Sequence, residues 1–530
     1  MDGALMTSSL RPPAGQRYMP STELVRRTRA LTHLAKAHRT QSQAIKRRIL
    51  FVTTEMADFV KAGGLGDVSA ALPRALARSQ DVRVLIPGYR QVLASCRQAR
   101  LVGRIAPLAQ LPACDLLLAR SDDGLAIYIL RCPALYERDG SPYVARDGEA
   151  WADNTLRFAT LSHAAAEVAA GAAGLDWQPQ LLHLNDWPCA LSAGYLRWRG
   201  LKTPCLLTIH NLAYQGLFEH TQGDALGIPR EAHASMDFYG QLSFLQAGIH
   251  YASRINTVSR HYAEQITLPP LGCGLDSLLL RRADQGHLSG IVNGIDVSWD
   301  PRKDRHLHCH FGIDQWRGKQ ANKHFLQRHF GLHRSRGPLF AVVSRLVQQK
   351  GLDLVCEVAP QIVAAGGQLC VIGSGEASVE QAVGELGQRY PGHVATHVGF
   401  RESLARRMFA GSDFLLMPSR FEPCGLSQMY AQRFGSLPLA HATGGLIDTI
   451  DDGVTGFLFP RASADGLRAC IERAFRVYRC TPLLYAMRRA AMLIPMGWDA
   501  ACEQYLGLYD ALSHPAPTPH PANTDHKAIA

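Results

Sequence analysis

The feature that most constrains the fold is a succession of short, mostly apolar runs separated by longer stretches of helical character. In the first half these runs cover 49–53, 82–87, 125–130, 181–184, 205–209 and 255–258. In the second half they cover 339–343, 368–372, 393–398, 413–417 and 437–440. Runs that are continuous rather than alternating belong to strands covered on both faces, which predicts parallel sheets with crossover helices. Two successive series predict an α/β protein of two doubly wound, Rossmann-like domains that face a cleft. A chain of 530 residues is long enough to build both cores. We place the first domain over 49–296 and the second over 297–512, joined near the turn-rich Asn293-Gly294-Ile295-Asp296. Ligands of such folds bind at the carboxyl ends of the strands, so the motifs that follow each run carry the functional information.

Charge narrows the partners. Lys and Arg exceed Asp and Glu by 56 to 45, a net +11. Residues 1–48 hold ten basic side chains against two acidic ones, a net +8, which leaves +3 for the rest of the chain. The body is therefore not a polyanion binder by composition, and no RNP, zinc-finger or helix-turn-helix signature points to nucleic acid. The basic segment reads as a solvated or weakly helical extension. Being Arg-rich and acid-poor, it also fits a transit peptide. Residues 513–530 lack apolar periodicity and read as a disordered tail. No apolar run approaches the roughly 18 residues of a membrane span, and 13 dispersed cysteines without a CxxC pair read as reduced thiols of the cytoplasm. The densest metal-like group is His306, His308, Cys309 and His310, whose spacing matches no standard zinc pattern; we assign no metal and no cofactor.

Three strand tips carry phosphate-friendly or sugar-friendly chemistry. The first strand runs into Lys61-Ala62-Gly63-Gly64-Leu65-Gly66-Asp67-Val68, with a helix expected from Ser69. Its glycines let backbone N–H groups approach an anion, the helix N-terminus favours negative charge, and Lys61 adds a cation. The loop fits neither the Walker A nor the dinucleotide fingerprint, and a purely structural turn is the ordinary alternative. The strand at 339–343 ends in Ser344-Arg345-Leu346-Val347-Gln348-Gln349-Lys350-Gly351, where Arg345 and Lys350 form a suitable diphosphate clamp or, alternatively, two loop cations. Thr443-Gly444-Gly445 opens another helix and offers a second backbone nest.

The strand at 413–417 leads into Pro418-Ser419-Arg420-Phe421-Glu422-Pro423-Cys424-Gly425-Leu426. Glu422 is placed to accept hydrogen bonds from sugar hydroxyls or, alternatively, is a solvated loop carboxylate. Cys424 lacks a nearby His and rates low as a nucleophile. The tips Asn185-Asp186-Trp187 and His210-Asn211 add polar groups to the same cleft wall.

Taken in order, KAGGLGDV at 61–68, SPY at 141–143, DNTLRFA at 153–159, NDW at 185–187, HNLAYQG at 210–216, FYGQLSFLQAGI at 238–249 and VNGID at 292–296 resemble one family. SRLVQQKGLDL at 344–354, PSRFEPCGLSQMY at 418–430 and TGGLIDTI at 443–450 continue it. The chain resembles the bacterial glycogen synthases, the family of the plant starch synthases, over roughly residues 48–512. The resemblance implies a GT-B fold. It also implies retaining transfer of glucose from ADP-glucose to the non-reducing-end 4-hydroxyl of an α-1,4-glucan such as glycogen, with UDP-glucose or plastid starch synthesis as the near alternatives.

The same resemblance implies roles. Lys61, Gly63, Gly64 and Gly66 lie against donor phosphates and sugar. Tyr143 helps form the donor pocket. Asp186 stands near the reacting centre and His210 at the glucose hydroxyls. Arg345 and Lys350 hold the diphosphate, and Glu422 binds glucose beside the Cys424, Gly425 and Leu426 backbone. The last helix crosses back to the first domain. Asn185 departs from the family's usual His, and the 48-residue extension exceeds the usual bacterial start.

Overall fold

Each of the eleven runs becomes a strand in the computed structural model, which describes residues 46–513. In chain order the strands are β1 (Arg48–Val52), β2 (Asp81–Pro87), β3 (Arg100–Ile105), β4 (Cys114–Arg120), β5 (Ala126–Arg131), β6 (Leu181–Asn185), β7 (Cys205–Ile209), β8 (Leu217–Glu219) and β9 (Asp237–Phe238). They continue with β10 (Gln241–Ser243), β11 (Arg254–Thr257), β12 (Leu288–Gly290), β13 (Leu339–Val343), β14 (Gln368–Gly373), β15 (Val394–Val398), β16 (Phe414–Met417), β17 (Leu437–His441) and β18 (Phe457–Phe459). The expected basic extension and tail fall outside the described residues, apart from 46–48 and 513.

Two large sheets result. The first runs β12-β11-β7-β6-β1-β2-β5-β4-β3 and the second β15-β14-β13-β16-β17-β18. Strands β1, β6, β7, β13, β14, β16 and β17 bury almost every side chain, because helices cover both faces. The second sheet is parallel throughout. The first is not: β5, β4 and β3 pair antiparallel, which corrects the expectation of a wholly parallel sheet. At this sheet edge β3 buries only Ile105 and β4 mixes buried with partly exposed positions, so they left no continuous apolar run to read. A separate small sheet, β8-β10-β9, rises beside the first.

In each large sheet the strand order reverses once. The chain moves from β1 outward through β2, then returns to the other side of β1 with β6; likewise it leaves β13 for β14 and returns with β16. These two switch points, β1/β6 and β13/β16, are where a crevice opens at the carboxyl ends. The second sheet is pinned from below by an ionic knot. Asp413 receives Lys323 Nζ and Arg488 Nη2, both at 2.6 Å, and the Leu339 backbone N–H at 2.8 Å. Burial alone would raise the Asp413 carboxyl, but the two cations hold it down to about 2.

After the second sheet the chain returns to the first. Ile295 N–H donates to the Met496 carbonyl at 2.8 Å, and Gly294 lies flat against Trp498. The helix Trp498–Ser513 then buries Tyr505 and Tyr509 in the first sheet's core. Tyr505 accepts a bond from Asn256 at 3.1 Å, and Tyr509 joins His183 at 2.8 Å. Among the described residues no helix is long and apolar enough to cross a membrane.

Candidate active site

The glycine loop is already half occupied, by a residue the motif reading passed over. Glu55, at the tip of β1 and 3% exposed, turns its carboxylate back under the loop. Its Oε2 accepts the backbone N–H of Ala62 at 2.6 Å and of Gly63 at 2.9 Å, while Oε1 accepts the Tyr143 hydroxyl at 2.7 Å. Tyr143 has one proton and gives it to Glu55, so the Thr54 hydroxyl at 2.9 Å is the donor to Tyr143. Burial, and then the Glu55 charge, push the Tyr143 phenol well above its ordinary range. The helix begins at Gly64, not at Ser69, so Gly64 and Gly66 belong to its first turn. An arriving anion therefore meets the N–H groups of Gly64 and Leu65 at this helix start rather than those of Ala62 and Gly63.

Lys61 turns away to Asp67, 2.7 Å from Nζ to the carboxylate. In this conformation Lys61 is paired within its own loop.

Asp186 caps β6 in a strained conformation, with φ +57°, which is rare outside glycine and marks functional sites. The strain aims its Oδ1 at the backbone of the next strand tip, where it accepts His210 N–H at 2.8 Å and Asn211 N–H at 3.3 Å. Burial pushes this carboxyl up to about 7 despite those two donors. Asn185 gives its amide N–H to the Val52 carbonyl at 2.9 Å, so its Oδ1 accepts His210 Nε2–H at 3.1 Å. Burial holds the imidazole down to about 3. His210 is neutral, with Nε2 protonated and Nδ1 a free acceptor. Asn185, the departure from the family pattern, thus fixes the tautomer.

On the opposite lip, Lys350 Nζ lies 2.6 Å from Glu422 Oε2, which also accepts the Ser419 hydroxyl at 3.0 Å. Both ionic side chains are largely buried. Arg345 remains exposed and touches only neutral groups: the Tyr214 hydroxyl and Gln349 Oε1, each at 3.3 Å. Tyr214 follows the His210 tip, so this contact spans the two lips. Leu426 Cδ1 approaches to 3.8 Å of where a Gly64 side chain would start, a second crossing point.

The segment Cys424-Gly425-Leu426 leads into the helix Ser427–Arg433. Cys424 is buried, which pushes its thiol up to about 12 and removes any thiolate. The Thr443-Gly444-Gly445 nest is committed elsewhere. Thr443 N–H bonds His441 O, Gly444 N–H bonds Gln265 Oε1 at 3.0 Å, and Gly445 N–H bonds Glu422 O at 3.1 Å. Gly444 is required there, because its φ is +45° and any Cβ would overlap the Glu422 carbonyl. The segment thus serves to hold Glu422, not as a free anion site in this conformation.

The His306 group makes local bonds: His310 Nε2 to Asp304 O at 3.0 Å, and His308 and Cys309 N–H to Asn322. Among the described residues no cluster of His, Cys, Asp and Glu is arranged to hold a metal.

Most of the expected residues therefore converge on the two switch points, and Glu55, Tyr214 and Ser419 join them. Glu55 was legible only as a carboxylate just past a buried strand, a weak signal by itself.

Comparison with known proteins gives this arrangement a family. The starch synthase catalytic domain matches residues 48–281, and the glycosyl transferases group 1 domain matches residues 337–476. The chain is 66% identical over 468 residues to a glycogen synthase of Xanthomonas campestris pv. campestris, covering 88% of this chain and 99% of that protein. It is 56% identical over 485 residues to a glycogen synthase of Pseudomonas putida, covering 91% and 93%. Among solved structures it resembles the catalytic domain of starch synthase IV from Arabidopsis thaliana, bound to ADP and acarbose, with a TM-score of 0.79 and 29% identity, covering 88% of this chain and all of that one. The chain is a GT-B hexosyltransferase and belongs to the glycogen synthase and starch synthase family.

Proposed function

We propose that the protein transfers glucose from ADP-glucose to the non-reducing-end 4-hydroxyl of an α-1,4-glucan, with retention of configuration. The reaction separates charge, because a diphosphate leaves an oxocarbenium-like glucosyl group. Fixed cations and backbone dipoles that need no reorganisation are the efficient way to stabilise it. Arg345 and Lys350 at the β13 tip take the diphosphate, and the Gly64–Leu65 helix start faces it from the other lip, shaped by Gly63 and Gly66, with Lys61 exchanging Asp67 for the donor's charge. Glu422 and the Cys424, Gly425 and Leu426 backbone bind the sugar hydroxyls, positioned by Thr443, Gly444 and Gly445. His210, neutral and with Nδ1 open, accepts a glucose hydroxyl. Tyr143 shapes the pocket through Glu55.

The observation that carries the reading is the state of the two carboxylates nearest the reacting centre. Glu422 is tied to Lys350 and Ser419, and Asp186 to two backbone N–H groups. One oxygen of each, Glu422 Oε2 and Asp186 Oδ1, is thereby committed to the protein itself, in contrast to the paired carboxylates that flank the bond in retaining hydrolases. This supports front-face attack, in which the departing phosphate oxygen takes the proton of the acceptor hydroxyl and no glucosyl-enzyme forms.

The test is incubation of purified protein with glycogen and labelled ADP-glucose or UDP-glucose. Incorporation from ADP-glucose is expected. No incorporation from either donor overturns the reading, and a preference for UDP-glucose overturns the donor assignment.

A further inference from the structure

An aromatic side chain occupies a turn position that disfavours it. β9 and β10 are joined by the two-residue hairpin Tyr239-Gly240, since Phe238 pairs with Gln241. Both turn residues have positive φ, +49° and +84°. This is the mirror-image turn for which Asn-Gly is the favoured pair, and a bulky residue at its first position is strained. The chain places Tyr there, and the ring is 85% exposed, more than any other large hydrophobic residue among those described. The strain therefore gains no burial. The ring is nonetheless held: it meets Phe238 edge to face at 4.8 Å, and a side chain at Gly274 would crowd both rings. A local rule broken at an exposed position without a packing gain marks function.

We propose that Tyr239 is a stacking platform that holds a glucan chain outside the reaction centre; this rests on the glucosyltransferase reading above. The small sheet connects the platform to the cleft. Tyr214, half exposed, touches Arg345 across the cleft. From Tyr214 the chain runs through the exposed Leu217 into β8, and Glu219 at its end pairs with Gln241, next to the turn. At the rise of extended chain Glu219, beside the hairpin tip, lies no farther than about 17 Å from Tyr214.

The same small sheet carries polar side chains: Glu219 and Gln241, paired at the ends of β8 and β10, and His220, bonded to Asp237 at 2.5 Å. An exposed flat ring on a sheet that also carries carboxylate, amide and imidazole side chains matches a pyranose, whose C–H face packs on an aromatic while its hydroxyls bond polar groups. A protein-binding surface would instead carry a contiguous apolar patch. Holding the polymer there raises the effective concentration of its ends at the cleft.

The test compares wild type, Tyr239→Asn and Tyr239→Phe. Asn is the residue the turn prefers, so Tyr239→Asn should keep or raise Tm while it raises KM for glycogen about threefold or more. Its kcat and its KM for maltotriose, a short acceptor, should not change, and Tyr239→Phe should retain the wild-type KM for glycogen. Unchanged glycogen KM in Tyr239→Asn, or an equal rise for maltotriose, overturns the proposal. Retardation of the three proteins in glycogen-containing native gels reads the platform without catalysis. If wild type transfers no glucose, the glucosyltransferase reading fails while the gel still decides the platform: selective loss of retardation in Tyr239→Asn supports it, and equal migration of all three overturns it.

Discussion

The two lips of the cleft are built from the same strand–loop–helix unit and yet present opposite chemistry. On the β1/β6 side, the loop's polar groups are satisfied from within: Glu55 fills two N–H groups, Lys61 pairs with Asp67, and Asp186 and His210 are held by backbone and by Asn185. On the β13/β16 side, Lys350 and Glu422 are paired but Arg345 stands exposed with only neutral neighbours. One lip is a preorganised frame whose charges are paired or hydrogen-bonded within it, suited to hydroxyls. The other keeps charge available, suited to a leaving diphosphate.

The largest effect that tests this contrast is on turnover. Arg345→Ala and Lys350→Ala should each lower kcat more than about tenfold, at least about 1.4 kcal/mol of transition-state stabilisation. Lys61→Ala, on the frame side, should lower kcat less than either. Arg345→Ala should leave the urea midpoint unchanged, because the side chain is exposed. Lys350→Ala should lower it, because Glu422 is left buried without its cation. Near-normal turnover in both C-terminal variants would erase the distinction between the lips.

Next in size is the frame itself. Glu55→Gln keeps one acceptor but loses charge-assisted bonds to Ala62, Gly63 and Tyr143, and should cost about 1–3 kcal/mol in urea unfolding together with a higher KM for the donor. An unchanged midpoint would show that the loop does not depend on the carboxylate.

A pH-dependent effect follows from Asp186. The folded state keeps its proton up to about 7, whereas an unfolded Asp releases it near 4. Between those values the folded state binds more protons, so this group makes stability fall as pH rises from about 4 to 7. Asp186→Asn should therefore stabilise the protein at pH 8 and not at pH 4, while it lowers activity. His183 and His210 act in the reverse direction. Burial holds both near 3, so the unfolded state binds more protons between about 3 and 6.5 and stability rises with pH there. Removing the Asp186 contribution should steepen that acid limb, and an unaltered slope in calorimetry across pH 4 to 7 would contradict it.

The smallest expected effect is at Cys424. Its thiol, pushed up to about 12 by burial, takes no part in the chemistry, so Cys424→Ser should retain turnover within about twofold. A loss larger than Arg345→Ala would reverse the roles given to the two residues.

Much of the fold was legible because a strand buried on both faces leaves a continuous apolar run, as at β1, β7 or β13. β3 and β4 were not, because a half-exposed antiparallel edge dilutes that run with polar residues. At the site, Asp186, His210, Arg345, Lys350 and Glu422 were legible as polar residues at strand tips. Glu55 was less so, since a single carboxylate after a strand has no spacing to distinguish it. Thr443-Gly444-Gly445 read as an open nest, because a sequence shows which backbone N–H groups are available but not which acceptors reach them.

By itself the amino-acid sequence determined two series of buried strands and the residue types at their carboxyl ends, because apolar periodicity and loop composition are local properties of the chain. The tertiary structure decided which charges are free and which are spent. Lys350 meets Glu422 across 72 positions, Tyr143 meets Glu55 across 88, and Arg345 meets Tyr214 across 131. An ion pair or hydrogen bond depends on distances of a few ångströms, and only the packing of two sheets around one crevice brings such separated groups that close.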